Sequence, residues 1–156
     1  MRNRNQRRTT NIWGVDILDS KDSNDPKSVY YKGNSETAKI LGGEVTNETN
    51  VSWLISGGSN SNENDFNWLP PNTNSDNWEW VNKQLSGDVD AVWPAGQKIK
   101  DYNTGKIVTS GAFKLRDHRN TNIIKENGEY VIYDFSIYYS DNQLPQGWRL
   151  PSKYKK

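Results

Sequence analysis

The sequence predicts a mainly β protein: a single antiparallel β-sandwich, immunoglobulin-like or jelly-roll, with at most one short helix near residues 77–85. Three observations predict it. Residues 129–139 read Glu-Tyr-Val-Ile-Tyr-Asp-Phe-Ser-Ile-Tyr-Tyr, so Val131, Tyr133, Phe135, Ile137 and Tyr139 recur at period two, with a mixed set between them. That alternation suits a central strand with one face in a core. Turn-forming residues recur at the close intervals of a sandwich or barrel. Finally, the chain is only 32% hydrophobic yet holds 7 Trp and 8 Tyr, a composition for an aromatic core rather than for disorder.

Residues 1–8 carry Arg2, Arg4, Arg7 and Arg8 and no apolar residue beyond Met1, so they read as a basic arm outside the core. Residues 9–156 are read as one sandwich domain. In residues 10–18, Trp13, Val15 and Ile17 alternate as a first strand. Residues 19–27 form a polar loop, and 28–32 a short strand. Residues 35–41 suit either a helical turn or a strand, ended by Gly42-Gly43. Residues 51–55 make a short strand buried on both faces around Trp53, closed by Gly57-Gly58. Residues 59–77 are Asn/Ser-rich and interrupted by Phe66, Trp68 and Pro70-Pro71. They predict a long loop, a kind of connection that is usually functional or partly disordered.

A short helix follows. Asp76 and Glu79 stand at capping-box spacing, Trp78, Val81 and Leu85 share one face, and Ser86-Gly87 terminates it. From Val92 onward the pattern is β. Trp93-Pro94-Ala95-Gly96 is a turn, and Asn103-Thr104-Gly105 joins residues 97–102 to 106–110 as a hairpin. Phe113 and Leu115 alternate with Lys114 and Arg116, and Ile123 and Ile124 lead through Asn127-Gly128, a two-residue hairpin signal. Residues 141–156 read as an irregular tail pinned by Trp148. The segment Asn127-Gly128-Glu129-Tyr130 also resembles the tyrosine corner of immunoglobulin-like sandwiches. On that reading Asn127-Gly128 would lie at a corner between sheets and close no hairpin. The resemblance spans four residues, and Ile132 stands where antibody domains have Cys. A jelly roll fits the roughly eight short strands expected here equally well.

Composition narrows the chemistry. A net charge of +1 over 156 residues predicts no polyanion partner from the global balance. Without Cys there is no disulfide framework and no thiolate metal site. No apolar h-region follows the basic start, and no run approaches the ~20 apolar residues of a membrane span. The expectation is a soluble protein made in the cytoplasm without a secretory signal, with no membrane insertion. The one His, His118, sits between Arg116, Asp117 and Arg119 with no nucleophile suggested beside it, which disfavours a His-centred triad.

Asp16, Asp19, Asp22 and Asp25 recur every third residue, and Asp88 and Asp90 form a second acidic pair. Neither follows the alternate-ligand pattern of an EF-hand, so both read as solvated loop acids. Glu79 lies between Trp78 and Trp80 but is accounted for by the capping box. The sequons Asn47-Glu48-Thr49 and Asn50-Val51-Ser52 arise readily in a chain this rich in Asn and Ser and carry no weight here. No catalytic, cofactor-binding or metal-ligating residue is expected.

The remaining signal is aromatic. Trp68, Trp80 and Tyr102 are read on loops, where flat rings beside Asn and Asp would serve a sugar-binding platform or a protein–protein contact. The expected function is therefore a non-enzymatic structural subunit of a larger assembly, a virion or phage-particle (capsid or tail) protein. Its arm, Arg2, Arg4, Arg7 and Arg8, would contact neighbouring subunits of the same or another kind, or packaged nucleic acid. The alternative is a carbohydrate-binding, lectin-like module using Trp68, Trp80 and Tyr102.

Overall fold

The computed structural model describes residues 9–11, 15–16 and 43–155. Strands β1 (Thr9–Asn11) and β2 (Val15–Asp16) form a separate antiparallel pair. Among the described residues, eleven further strands make two sheets. They are β3 (Glu44–Glu48), β4 (Trp53–Ser56), β5 (Phe66–Leu69), β6 (Thr73–Asn74), β7 (Ala91–Trp93), β8 (Ile99–Asp101), β9 (Ile107–Val108), β10 (Ala112–Lys114), β11 (Asn120–Glu126), β12 (Glu129–Tyr133) and β13 (Ile137–Tyr139). The five-stranded sheet runs β13-β10-β7-β4-β5 and the six-stranded sheet β6-β3-β11-β12-β8-β9. Among the described residues there is one α-helix, α1 (Glu79–Gln84), inside the window the sequence predicts.

Strand alternation puts the core between the sheets. Trp53, Ile55, Val92 and Phe113 of the five-stranded sheet cluster with Val45, Ile99, Ile123 and Ile132 of the six-stranded sheet. All are fully buried, and Val81 and Leu85 of α1 close one side. The intervening residues of the five-stranded sheet face the opposite way. Leu54, Ala91, Trp93 and Ala112 join Phe66 and Tyr154 in a second cluster, covered by Trp148 and Leu150 of the C-terminal tail. The tail is pinned as expected: Tyr154 lies 5.8 Å from Phe66 and Trp148 6.0 Å from Trp93, ring centre to ring centre.

The turns follow their residues. Asn127 (φ 52°) and Gly128 (φ 81°) close the β11–β12 hairpin, in which Glu126 opposes Glu129. Two adjacent positive φ values are the type I′ geometry that Asn-Gly favours. The tyrosine-corner reading is thereby corrected, and the Tyr130 hydroxyl donates instead to Asn50 Oδ1 at 3.0 Å. Asp101 Oδ1 accepts from the Asn103 and Thr104 amides, and Gly105 sits at φ 78°, which closes the β8–β9 hairpin.

Four expectations are corrected. The six-stranded sheet is mixed, because β3 pairs with β11 and β8 with β12 in parallel. Apart from the consecutive pairs β4-β5, β8-β9 and β11-β12, the chain crosses between sheets, so the other neighbours within a sheet are not consecutive strands. Residues 129–139 are not one strand, because Asp134 takes φ 62° and the chain leaves β12 in one sheet for β13 in the other. The phase inverts with it. Ile132 enters the inter-sheet core, while Val131 and Tyr133 pack on the outer face. Residues 59–77 are not a long loop but hold β5, β6 and two 3-10 turns. Asn side chains there satisfy the backbone: Asn62 Oδ1 accepts from Asn64 N at 2.9 Å, and Asn74 Oδ1 from Asp76 N at 2.8 Å. Lastly, α1 has no capping box. Its N-cap is Trp78, without a side-chain cap bond, and Asp76 lies in the preceding 3-10 turn.

Candidate functional site

The aromatic residues singled out in the sequence are not brought together. Trp68 on β5 is half-buried against the outer cluster of the five-stranded sheet, edge-on to Tyr154 at 6.0 Å. Trp80 on α1 packs beside Trp78 at 5.5 Å, against the inter-sheet core. Tyr102 stacks on Tyr133 at 4.4 Å on the outer face of the six-stranded sheet. Each ring is braced by another ring, and the three belong to three different clusters. Arg2, Arg4, Arg7 and Arg8 lie outside the described residues, as do Asp19, Asp22 and Asp25. His118 is exposed, at φ 63°. Glu79 is exposed too and pairs with Lys83 one helical turn on, at 2.9 Å.

The acidic pair is less solvated than its composition suggests. Asp90 is pushed up to about 6, chiefly because burial penalises its charged form and secondly because Asp88 lies near. Asp88 is raised by the same desolvation, against the pull of the Gly43 amide, which donates to its Oδ1 at 3.1 Å. Asn60 Nδ2 reaches Asp90 Oδ2 at 3.5 Å. Among the described residues, no group of three His, Cys, Asp or Glu side chains is arranged to hold a metal ion.

Sequence reasoning missed a buried polar ladder on the outer face of the six-stranded sheet. Asn74 Nδ2 donates to Glu44 Oε2 at 2.5 Å and to Thr46 Oγ1 at 2.8 Å. Thr46 Oγ1 donates in turn to Asn120 Oδ1 at 3.0 Å, and Asn120 Nδ2 to Asn122 Oδ1 at 3.1 Å. Period-two alternation of Glu44 with Thr46, and of Asn120 with Asn122, is the signal that could have found it. In the sequence those residues look like ordinary surface.

Two concavities stand out. The first is a cleft of about 470 Å³ where β9, the edge of one sheet, and β13, the edge of the other, face each other, with Val108, Ile137 and Tyr138 in its lining. Ile137 is 46% exposed there, and Ile107, next along β9, is 49% exposed. The second is a groove beneath the C-terminal tail, made of two adjoining cavities of about 670 and about 510 Å³ that share Arg149, Leu150 and Lys155. Sequence reading treated Trp148, in its wall, only as a pin for the tail.

No family model, no curated protein and no solved structure matches the chain. Among the described residues, no helix is long and apolar enough to cross a membrane.

Proposed function

We propose that the protein is a non-enzymatic structural subunit of a larger assembly, of the virion or phage-particle kind. The two sheets, which share one core, are read as a sandwich whose open side serves as the joint. The observation that carries this reading is the β9/β13 cleft. Both sheets end on it in edge strands, and an edge presents unpaired N–H and C=O groups to another chain. Ile107 and Ile137 add exposed apolar surface beside it. The Arg-rich arm of residues 1–8 supplies a second contact, to a neighbour or to nucleic acid, through phosphate-type interactions that weaken steeply with salt. Carbohydrate binding through Trp68, Trp80 and Tyr102 has less support, because the three rings sit in separate clusters.

Light scattering tests the proposal on three chains: full length, one starting at Thr9, and full-length Ile137→Asp. The expected result is a mass several times 17.9 kDa for the full chain, reduced towards one chain's mass by either change. A full chain that stays monomeric at ~100 μM, well above the micromolar range of ordinary specific contacts, would overturn it.

A further inference from the structure

We infer that the groove beneath the C-terminal tail is a binding site for an oligosaccharide, with Trp148 as its stacking platform. Each of its two cavities lies within the ~300–1,000 Å³ range of ligand pockets, and since they share Arg149, Leu150 and Lys155 the pair has room for more than one sugar ring. The platform is rigid. Trp148 is half-buried and wedged between Trp93 at 6.0 Å and Tyr139 at 5.8 Å, and its amide donates to Pro145 O at 3.0 Å. Among the described residues its indole N–H has no acceptor, whereas the indoles of Trp53 and Trp93 each donate to a hydroxyl. The chain next to it is fixed as well, since the Arg149 amide donates to Asn60 O at 2.9 Å.

The charges argue for a glycan over an anion. Arg149 and Lys155 line the groove, exposed and without an ion pair among the described residues, but Asp141 lines one cavity and Glu63 the other. Two cations and two carboxylates leave no net field to attract a polyanion. They do offer donors and acceptors side by side, which is what vicinal hydroxyls need, since each both donates and accepts. Asp141 is held for this task, its Oδ1 accepting the Gly111 amide at 3.1 Å. The ring face of Trp148 supplies the apolar half of the match, against the C–H face of a pyranose.

The test uses the full chain. A printed array of neutral and acidic glycans selects a probe, and titration with cellohexaose, chitohexaose and maltohexaose follows tryptophan fluorescence. Expected is saturable binding that weakens at least ~tenfold, about 1.4 kcal/mol, in Arg149→Gln and Asp141→Asn, both exposed substitutions that leave the fold intact. Trp80→Ala on α1 should bind as the parent does. Trp148→Phe, which keeps a ring on Trp93, should bind more weakly while melting near the parent temperature. Three results would overturn the inference: no glycan bound at 10 mM, loss of binding in Trp80→Ala with none in the groove variants, or a groove that takes only peptides or inorganic phosphate. None of these outcomes bears on whether the chain assembles through β9 and β13.

Discussion

Replacing Asp90 by Asn should stabilise the protein at neutral pH, by less as the pH falls, and not at all below about pH 4. Asp90 titrates at about 6 in the folded chain, against an ordinary value of 3.8, because burial disfavours its charge and Asp88 adds repulsion. The sign follows from the raised value. Below about pH 4 both states hold the proton and nothing is lost. Between about 4 and 6 the unfolded chain releases it first, so stability falls as pH rises, and above about 6 the full penalty is present. A difference of about two pKa units corresponds to roughly 3 kcal/mol, and because Asp90 is only half-buried, solvent screening reduces this to about 1–2 kcal/mol. Asn removes the charge and can still accept from Asn60. At this chain length each kcal/mol moves the melting temperature by roughly 2–4 °C. Thermal melts at pH 5 and pH 8 should therefore show Asp90→Asn above the parent at both, by about 2–8 °C at pH 8 and by roughly half of that at pH 5, where the unfolded chain has released the proton and the folded chain still holds it. A variant that melts lower at pH 8, or whose offset does not change with pH, would refute the reasoning. Either result would mean that the carboxylate is solvated or paired.

Two further substitutions have expected outcomes. Asn47 Nδ2 donates to the carbonyls of Val51, Leu69 and Pro70, and its Oδ1 accepts from the Thr49 amide and hydroxyl. Asn47→Ala orphans several buried groups at ~1–3 kcal/mol each, so urea unfolding should show a loss of at least ~2 kcal/mol. Glu79→Ala breaks only an exposed ion pair and should change stability by no more than ~0.5 kcal/mol in the same assay.

What was legible in the sequence is what depends on neighbours along the chain. The Asn127-Gly128 and Asn103-Thr104-Gly105 hairpins and helix α1 were legible because a left-handed residue or a 3.6-residue stripe specifies them locally. Sheet membership was not. β6 is two residues long, and only its partner β3, some 28 positions away, makes it a strand. The Asn/Ser stretch at 59–77 misled for a related reason. Asn62 and Asn74 serve as backbone surrogates, so composition that usually marks a loop here builds tight turns between real strands. For Trp68, Trp80 and Tyr102 the sequence contains the rings but not their depth. Each turned out to lean on a second aromatic, and the groove wall at Trp148 was assembled from residues more than 35 positions apart, such as Gly96 and Gly111 with Arg149.

Asp134 ties these levels together. An αL conformation costs a non-glycine residue of order 1–3 kcal/mol, least for Asn and Asp, and the surroundings here hold it in place. Arg119 Nη2 lies 3.4 Å and Arg116 Nη1 3.8 Å from Asp134 Oδ1, and Thr121 Oγ1 donates to its carbonyl at 3.0 Å. With the backbone turned there, Phe135 drops into the inter-sheet core and Ser136 N donates to Lys114 O at 2.7 Å, which starts β13 against β10. Had the alternation of residues 129–139 run on unbroken, the strand would have stayed in the six-stranded sheet and Ile137 would have followed the phase of Val131 and Tyr133. The break instead leaves β13 as an edge facing β9, with Ile137 in the lining of the cleft between them. The proposed joint therefore depends on one acidic residue in a conformation that strand propensity opposes, held by two arginines that the sequence presents only as neighbours of His118.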